Sequence, residues 1–139
     1  MSETKVRKAI FKALHDVGLN LPEVHENVEP DIGEAPIWIR VTYIPNEPTP
    51  VTLGVQGEDD MEGVLQIDLN IDSGKGSGDL FPLVDQLRNH FTAGRIFAYD
   101  GQEVTIRSCG RSVGRTVDSY YRIPVSVIWY SRIQRNLIP

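Results

Sequence analysis

Four oxygen-bearing side chains are spaced as in a calcium-binding loop. Asp68, Asn70, Asp72 and Asp79 match positions one, three, five and twelve of an EF-hand loop. The sixth position holds Ser73 where the loop needs glycine, and Lys75 places a cation among the ligands. The residues before Asp68 alternate as in a strand, whereas an EF-hand loop follows a helix. The sequence therefore predicts outward-facing strand residues and a helix cap at Asp79.

The other candidate motifs for catalysis or ligand binding are incomplete. The pair His25-Glu26 lacks the second histidine of a zinc-protease helix. The glycine-rich run 74–78 lacks the final GK[ST] of a phosphate-binding loop. Cys109 has no base beside it in the sequence, which favours a buried structural thiol. We predict that the protein is not an enzyme and that it holds no metal or cofactor.

The composition is typical of a single domain. The chain has 139 residues, 40% of them hydrophobic, which is enough for one core without cross-links. Its one cysteine cannot form an intrachain disulfide. It has no signal-peptide or membrane-spanning pattern, so we expect a soluble protein made inside the cell. We predict one domain over residues 1–139, with a long loop at 45–62 and a short tail at 133–139.

Acidic and basic residues are concentrated in different parts of the chain. The net charge of −5 divides into +3 over residues 1–15, −13 over 16–85 and +5 over 86–139. Opposite charges in separate segments would suit surfaces that meet between neighbouring copies. The alternative is that the segments mix on folding and only solvate the surface.

Residues 63–91 predict a strand followed by a helix, around which the other elements pack. The apolar residues first alternate and then follow a helical stripe: Leu65, Ile67, Leu69 and Ile71, then Leu80, Val84, Leu87 and Phe91. Pro82 is acceptable because the first helical turn has no N–H partner to lose. This unit determines which face of the sheet is buried.

Further elements surround this unit. An amphipathic helix covers residues 6–17 and ends at Gly18. Strands are predicted near Val24, at 37–44, before an Asp100-Gly101 turn, at 103–109 and at 119–132, and a basic loop is predicted at 110–119. Pro124 should lie at an edge or where its missing N–H would face solvent. The order predicts an α+β fold, with a mainly antiparallel β-sheet of five or six strands and two α-helices packed on one face.

The order and lengths of these pieces resemble the phage tail terminator, or tail-completion, family. The resemblance covers residues 5–132 and is carried by VRKAIFKALHDVG, IWIRVTYIPNEPTPVTLG, GVLQIDLNIDSGKGSGDLFPLVDQLRNHF and YYRIPVSVIWYSR. It implies a structural virion protein, assembled in the host cytoplasm, that forms a ring, typically of six, at the head-proximal end of a tail. Such a ring ends polymerisation of the tail tube and offers the docking surface for the head. The implied partners are further copies of the chain, the tail tube protein, head–tail connector proteins and DNA that passes through the lumen without sequence-specific binding.

Eight residues are candidates for the subunit interface or the lumen of such a ring: Glu58, Asp59, Asp60, Glu62, Trp38, Arg111, Arg115 and Arg132. Trp38 lies on the second face of its strand, where we expect a helix or another subunit to cover it. The acidic run lies on the predicted loop, so we expect it to face the lumen and repel passing DNA. Two alternatives remain open, a head-side connector or stopper protein and a small ligand-binding module.

Overall fold

Two long antiparallel strands form the centre of the fold. A computed structural model describes residues 3–26, 33, 35–74 and 76–135. The helices are α1 (Glu3–Asp16) and α2 (Phe81–His90), and the strands are β1 (Glu23–His25), β2 (Ile37–Pro45), β3 (Thr49–Pro50), β4 (Glu58–Asp72), β5 (Ile96–Tyr99), β6 (Gln102–Arg111), β7 (Arg115–Val117) and β8 (Tyr120–Gln134). The two central strands, β4 and β8, pair along their whole lengths.

The sheet follows the order β1-β2-β4-β8-β6-β5, with β3 beside β4 and β7 beside β8. All neighbours are antiparallel except β1 and β2. The short strand β3 pairs with β4 beyond the end of β2, and β7 pairs with β8 beyond the end of β6. The path of six strands agrees with the predicted five or six, and the predicted α+β class is confirmed.

One face of the sheet carries the hydrophobic core. Leu65, Ile67 and Leu69 of β4 are fully buried on this face, with Val125 and Val127 of β8 opposite them. Both helices contribute their apolar stripes to the same core. Burial of this many aliphatic side chains is the main stabilising contribution to the fold.

The two helices also contact each other. The His90 ring nitrogen Nε2 lies 2.7 Å from the Ala13 carbonyl oxygen, which joins the end of α2 to α1. Phe91, directly after α2, is fully buried, as predicted from its position on the helical stripe. Tyr43 of β2 stacks on Trp129 of β8, with ring centroids 5.7 Å apart, and this stack adds to the core beneath α1.

Several local predictions are confirmed. The strand near Val24 is β1. Gly18 has a φ of 75°, and its N–H donates to the His15 carbonyl, as in a left-handed helix end. Asp100 and Gly101 both have positive φ, which is the conformation of a two-residue hairpin turn, here between β5 and β6.

The predicted cap at Asp79 is wrong. A 3₁₀ turn, Gly78–Leu80, leads directly into α2, and Leu80 occupies the cap position without a side-chain hydrogen bond. Pro82 lies in the first turn of α2, as expected. The 3₁₀ turn satisfies the first backbone groups, so a capping carboxylate is not needed.

The predicted loop at 110–119 contains a strand. Its residues 115–117 form β7, which returns on β8 as a short hairpin. Pro124 is on a central strand, not at an edge, yet it interrupts no ladder. Its carbonyl accepts from the Ser112 N–H, between the last pairing of β6 and the first pairing of β7. Because the N and O of a strand residue point to the same side, the missing N–H falls in this gap.

The predicted C-terminal boundary of the loop at 45–62 is wrong. The strand β4 begins at Glu58, so the whole acidic run lies within the sheet, paired with the end of β8. At the chain terminus β8 continues to Gln134, so the predicted tail at 133–139 begins later than expected. Residues 136–139 lie outside the described part of the chain.

Candidate interaction surface

The sheet has a second face that points away from both helices. Because Leu65, Ile67 and Leu69 point into the core, the even-numbered residues of β4 point the other way. We call this second side the open face. It consists of the even-numbered residues of β4 from 58 to 72 and their cross-strand neighbours on β2 (38, 40, 42 and 44) and β8 (120 to 134, even numbers).

An apolar row crosses the middle of the open face. The register places Ile44 of β2, Val64 of β4 and Ile128 of β8 side by side. Ile44 is 42% exposed and Tyr130, one position further along the same face, is 38% exposed. The Arg107 guanidinium lies over the Tyr130 ring, 5.0 Å from its centroid. An apolar row on a sheet face without a helix is typical of a surface that contacts another protein.

One end of the open face holds buried polar groups. Asp68 and Asn70 are 3% and 0% exposed, so the prediction that they face outward into solvent is wrong. The Asn70 amide donates to the Asp68 carbonyl at 3.0 Å and accepts from Arg122 Nε at 2.7 Å. Gln66 donates to the Asp68 carboxylate at 3.0 Å. These bonds satisfy a polar layer, and among the described residues no group of three His, Cys, Asp or Glu side chains could hold a metal ion.

Trp38 belongs to this buried end and is not an exposed interface residue. It is 5% exposed, and Tyr120 meets its ring edge-on with centroids 5.1 Å apart. The expected cover by a helix or another subunit is therefore wrong, because a residue of β8 in the same chain covers it. Ile44, the other apolar residue on this face of β2, stays exposed.

The other end of the open face carries the acidic run, paired with arginines from the C-terminal third of the chain. Arg132 Nε lies 3.0 Å from Asp60 and 3.6 Å from Glu58, and Arg107 contacts Glu62 at 2.8 Å. The hydrogen bond to Asp60 raises the pKa of Arg132 above its usual value. Acidic and basic segments thus meet within one chain at this end, which is the alternative in which they mix on folding.

Asp59 points to the opposite side of β4 and pairs with Arg135. The Arg135 guanidinium also donates to the carbonyl oxygens of Thr52 and Gly54 at 2.6 Å each, and to that of Glu58 at 3.2 Å. A planar fork of donors suits such a set of acceptors better than an ammonium group would. The Arg135 backbone N–H adds a bond to the Gly57 carbonyl at 2.8 Å. Arg135 therefore holds the turn between β3 and β4.

We call residues 51–57 the finger. Gly57 is required there, because a Cβ atom would collide with the Arg135 guanidinium and the Thr52 hydroxyl. The Glu58 N–H donates to Thr52 Oγ1 at 2.6 Å, which closes the finger at its base. Leu53 is 100% exposed and Val55 68% exposed at its apex. The finger is thus a hydrogen-bonded projection with an apolar tip.

The remaining candidates, Arg111 and Arg115, lie apart from the acidic run. Arg111 ends β6 and its guanidinium is 5.2 Å from the Phe81 ring centroid, on the helix side of the sheet. Arg115 of β7 lies opposite Arg122 of β8 in the strand register. The β8 residues opposite Arg115 and Arg111 are Arg122 and Val125. They precede Arg132 by ten and seven residues, so the two bases lie roughly 33 Å and 23 Å from it along the strand at 3.3 Å per residue. The eight candidates therefore do not form one site.

Arg135 and Arg107 were not among the eight candidate residues, although both pair with the acidic run. The contacts join residues 76 and 45 positions apart, and only the register of β4, β6 and β8 brings them together. One signal was available. Two arginines three residues apart near the end of a long predicted strand could match an acidic run in another strand of similar length.

A small recess lies between α1 and β2 on the core side. It has a volume of about 180 Å³ and is lined by Arg7, Phe11, His25, Glu26, Val41 and Tyr43. The Tyr43 hydroxyl is buried and has no hydrogen-bond partner among the described residues. Burial raises the pKa of Tyr43 to about 12, so the hydroxyl stays protonated at neutral pH.

A larger, more open cavity of about 500 Å³ lies between the ends of β6 and β8. Its buried residue Gln102 donates to the Ser131 hydroxyl at 2.7 Å and to the Arg132 carbonyl at 2.9 Å. The Ser131 hydroxyl donates in turn to the Glu103 carbonyl. These bonds join the start of β6 to the end of β8. The polar groups of this cavity therefore have a structural role.

Comparisons with known proteins agree with the fold. A solved structure matches with a TM-score of 0.76 over 100% of this chain and 99% of its own length, at 21% sequence identity. At this identity the likeness establishes the fold alone. No match was found among curated proteins.

A family model, described as phage tail terminator protein, matches residues 5–129. Within the described residues, neither helix has the length and hydropathy needed to span a bilayer. The family match covers most of the sequence and agrees with the resemblance carried by its segments. The chain therefore belongs to the phage tail terminator family, whose members are structural proteins of the phage tail.

Proposed function

We propose that the protein forms a ring at the head-proximal end of a phage tail, where it ends polymerisation of the tail tube and presents the docking surface for the head. Family membership supports the tail role. The apolar row of the open face is the observation that supports assembly. Its residue on β2, Ile44, is 42% exposed in the single chain, on a face that both helices leave free.

A ring requires a heterologous contact, in which two different surfaces of the subunit meet. The open face supplies one such surface, with the apolar row in its middle and mixed charges at one end. Exposed ion pairs of this kind contribute little to stability, yet they restrict how a partner can align. We propose that the open face packs against a neighbouring subunit or the tail tube.

The lumen assignment of the acidic run loses its main support. It rested on an extendable loop, whereas Glu58, Asp60 and Glu62 are strand residues paired with arginines. Paired carboxylates repel passing DNA less than free ones would. We propose that this cluster aligns subunits and that repulsion of DNA is at most a secondary role.

The experiment measures assembly of the purified protein with and without tail tube, by light scattering coupled to size exclusion and by negative-stain electron microscopy. Ile44→Glu is expected to abolish rings and tube capping. The matched control is Ile96→Glu on β5, where the replaced isoleucine is 54% exposed but lies on the sheet edge. A wild-type protein that stays monomeric and does not bind tube would refute the proposal, as would one that binds only head-side connector proteins.

A further inference from the structure

We propose that the tip of the finger of one copy packs against the middle of the open face of the next copy in the ring. This contact rests on the proposed ring and supplies the second of its two surfaces, since the open face is the first. It joins the apolar tip at Leu53 and Val55 to the apolar row at Ile44, Val64 and Ile128.

The finger is held in one conformation by bonds within its own chain. The Val51 N–H donates to the Glu58 carbonyl at 3.0 Å, and the Gly57 N–H donates to the Gly54 carbonyl at 3.2 Å. The Arg135 guanidinium donates to the Gly54 carbonyl as well, at 2.6 Å. Because the backbone is already fixed, burial of the tip costs little conformational entropy.

The two surfaces contain most of the exposed apolar side chains. Among the described residues, eight large apolar side chains are exposed, and three of them, Val51, Leu53 and Val55, belong to the finger. Two more, Ile44 and Tyr130, are on the open face, and the other three come from three separate elements. One contact between the finger and the open face therefore removes five of the eight from water.

Neither surface carries a charged side chain, although charged residues make up 24% of the sequence. The finger reads VTLGVQG. On the open face the apolar row ends at Ser108 of β6, and the next row is uncharged as well: Thr42, Gln66, Ser126 and Gly110. Burial of a charge without a partner is costly, and a contact between these two surfaces buries none.

The uncharged area of the open face has the size of a small tip. Arg40 lies opposite Asp68 on one side of it, and Glu62 pairs with Arg107 on the other. Between these charged rows the area spans two rows about 7 Å apart along the strands, and roughly 14 Å across the four strands from β2 to β6. A two-stranded hairpin tip, about 5 Å between its strands, fits within these limits.

The finger and the apolar row are on opposite sides of the subunit. Arg135 lies on the Asp59 side of β4, away from the open face, and it binds the finger from there. The finger base at Glu58 is six residues from Val64, or roughly 20 Å at 3.3 Å per residue. The finger therefore does not cover the row of its own chain. Two different surfaces on opposite sides allow a head-to-tail contact to repeat from copy to copy, and every copy supplies both.

The first test exchanges charges at the proposed contact and measures the protein concentration at which rings form. Ile44→Glu places a carboxylate in the row, and Leu53→Lys places an ammonium group at the tip. The double variant Ile44→Glu/Leu53→Lys is expected to form rings at a concentration at least tenfold lower than Ile44→Glu alone. The matched control Ile44→Glu/Leu53→Glu should assemble no better than Ile44→Glu. Equal behaviour of the two double variants would overturn the contact.

The second test separates this contact from the ring itself. Leu53→Asp should raise the concentration needed for rings at least tenfold, whereas Leu53→Met keeps it near the wild-type value. Leu53 is fully exposed, so neither change should alter the circular dichroism spectrum. Rings of Leu53→Asp at the wild-type concentration would refute the finger contact and leave the ring intact, and loss of tube capping alone would assign the tip to the tube protein instead. A wild-type protein that forms no rings would refute the ring, and this contact with it.

Discussion

Replacement of Arg135 by alanine should release the finger while the sheet stays folded. The guanidinium makes three hydrogen bonds to carbonyls and one ion pair with Asp59, and its side chain is only 24% exposed. A hydrogen bond to a charged group is worth about 1.5–3 kcal/mol, but water can solvate the carbonyls once the side chain is gone. We therefore expect the free energy of opening the finger to fall by about 2 kcal/mol.

Amide hydrogen exchange measures this quantity directly. The N–H groups of Val51, Gly57 and Glu58 all donate within the finger, so they report on its opening. A loss of about 2 kcal/mol corresponds to roughly 30-fold faster exchange at these amides. Arg135→Lys should be intermediate, since an ammonium group keeps the charge but cannot match the planar fork.

Arg132→Ala is the matched control. Arg132 pairs with the side chains of Glu58 and Asp60, is more than half exposed and makes no bond to the finger backbone. Its removal should leave exchange of the three finger amides unchanged, because exposed ion pairs contribute little. Unchanged exchange in Arg135→Ala as well would refute the conclusion that Arg135 orders the finger.

Three further predictions concern the body of the domain. Gly63→Ala should destabilise the fold by about 1–3 kcal/mol in urea unfolding. The alanine Cβ atom would overlap the Trp129 ring and approach the Ile44 carbonyl oxygen to 2.8 Å. A variant as stable as the wild type would contradict this packing. The pKa of Tyr43 is raised to about 12 by burial, so the unfolded chain loses its phenol proton near pH 10 while the folded chain keeps it. Stability should fall as the pH rises from 10 to about 12, and Tyr43→Phe should lessen that slope. Burial raises the pKa of Cys109 to about 11, so at pH 8 a thiol reagent should label it slowly in the folded protein and quickly in urea, whereas equal rates would place the thiol in solvent.

Short-range patterns predicted most of the elements. The alternation at 65–71 and the helical stripe from Leu80 to Phe91 are periodic over their own length, so they identified β4 and α2 without tertiary information. The Asp100-Gly101 turn was likewise local, because few residues other than Asn, Asp and Gly accept positive φ in succession. These features depend on residues close in sequence, and they are the ones that the structure confirms.

Register and irregularities were not predictable in the same way. The start of β4 was not predicted, because it contains four acidic residues and Gly63. Its pairing with β8, and not its own composition, stabilises this part of the chain as a strand. In β6 the register shifts between Ile106 and Ser108, so Ser108 is exposed and Cys109 packs against the core. A single bulged residue inverts the faces that follow it, so alternation continued from Val104 and Ile106 would place Ser108 in the core and Cys109 outside.

The charge segregation along the sequence has a structural consequence for assembly. Antiparallel pairing of β4 with β8 brings the acidic run against Arg132 and, through β6, against Arg107, so much of the opposite charge is paired within the chain. At this end of the sheet most of the charge is therefore already paired within the chain. The surfaces left for such contacts are therefore mainly apolar, the tip of the finger and the row at Ile44. Since apolar burial carries little directional information, the residual charges would select the partner and its alignment while the apolar residues supply most of the affinity.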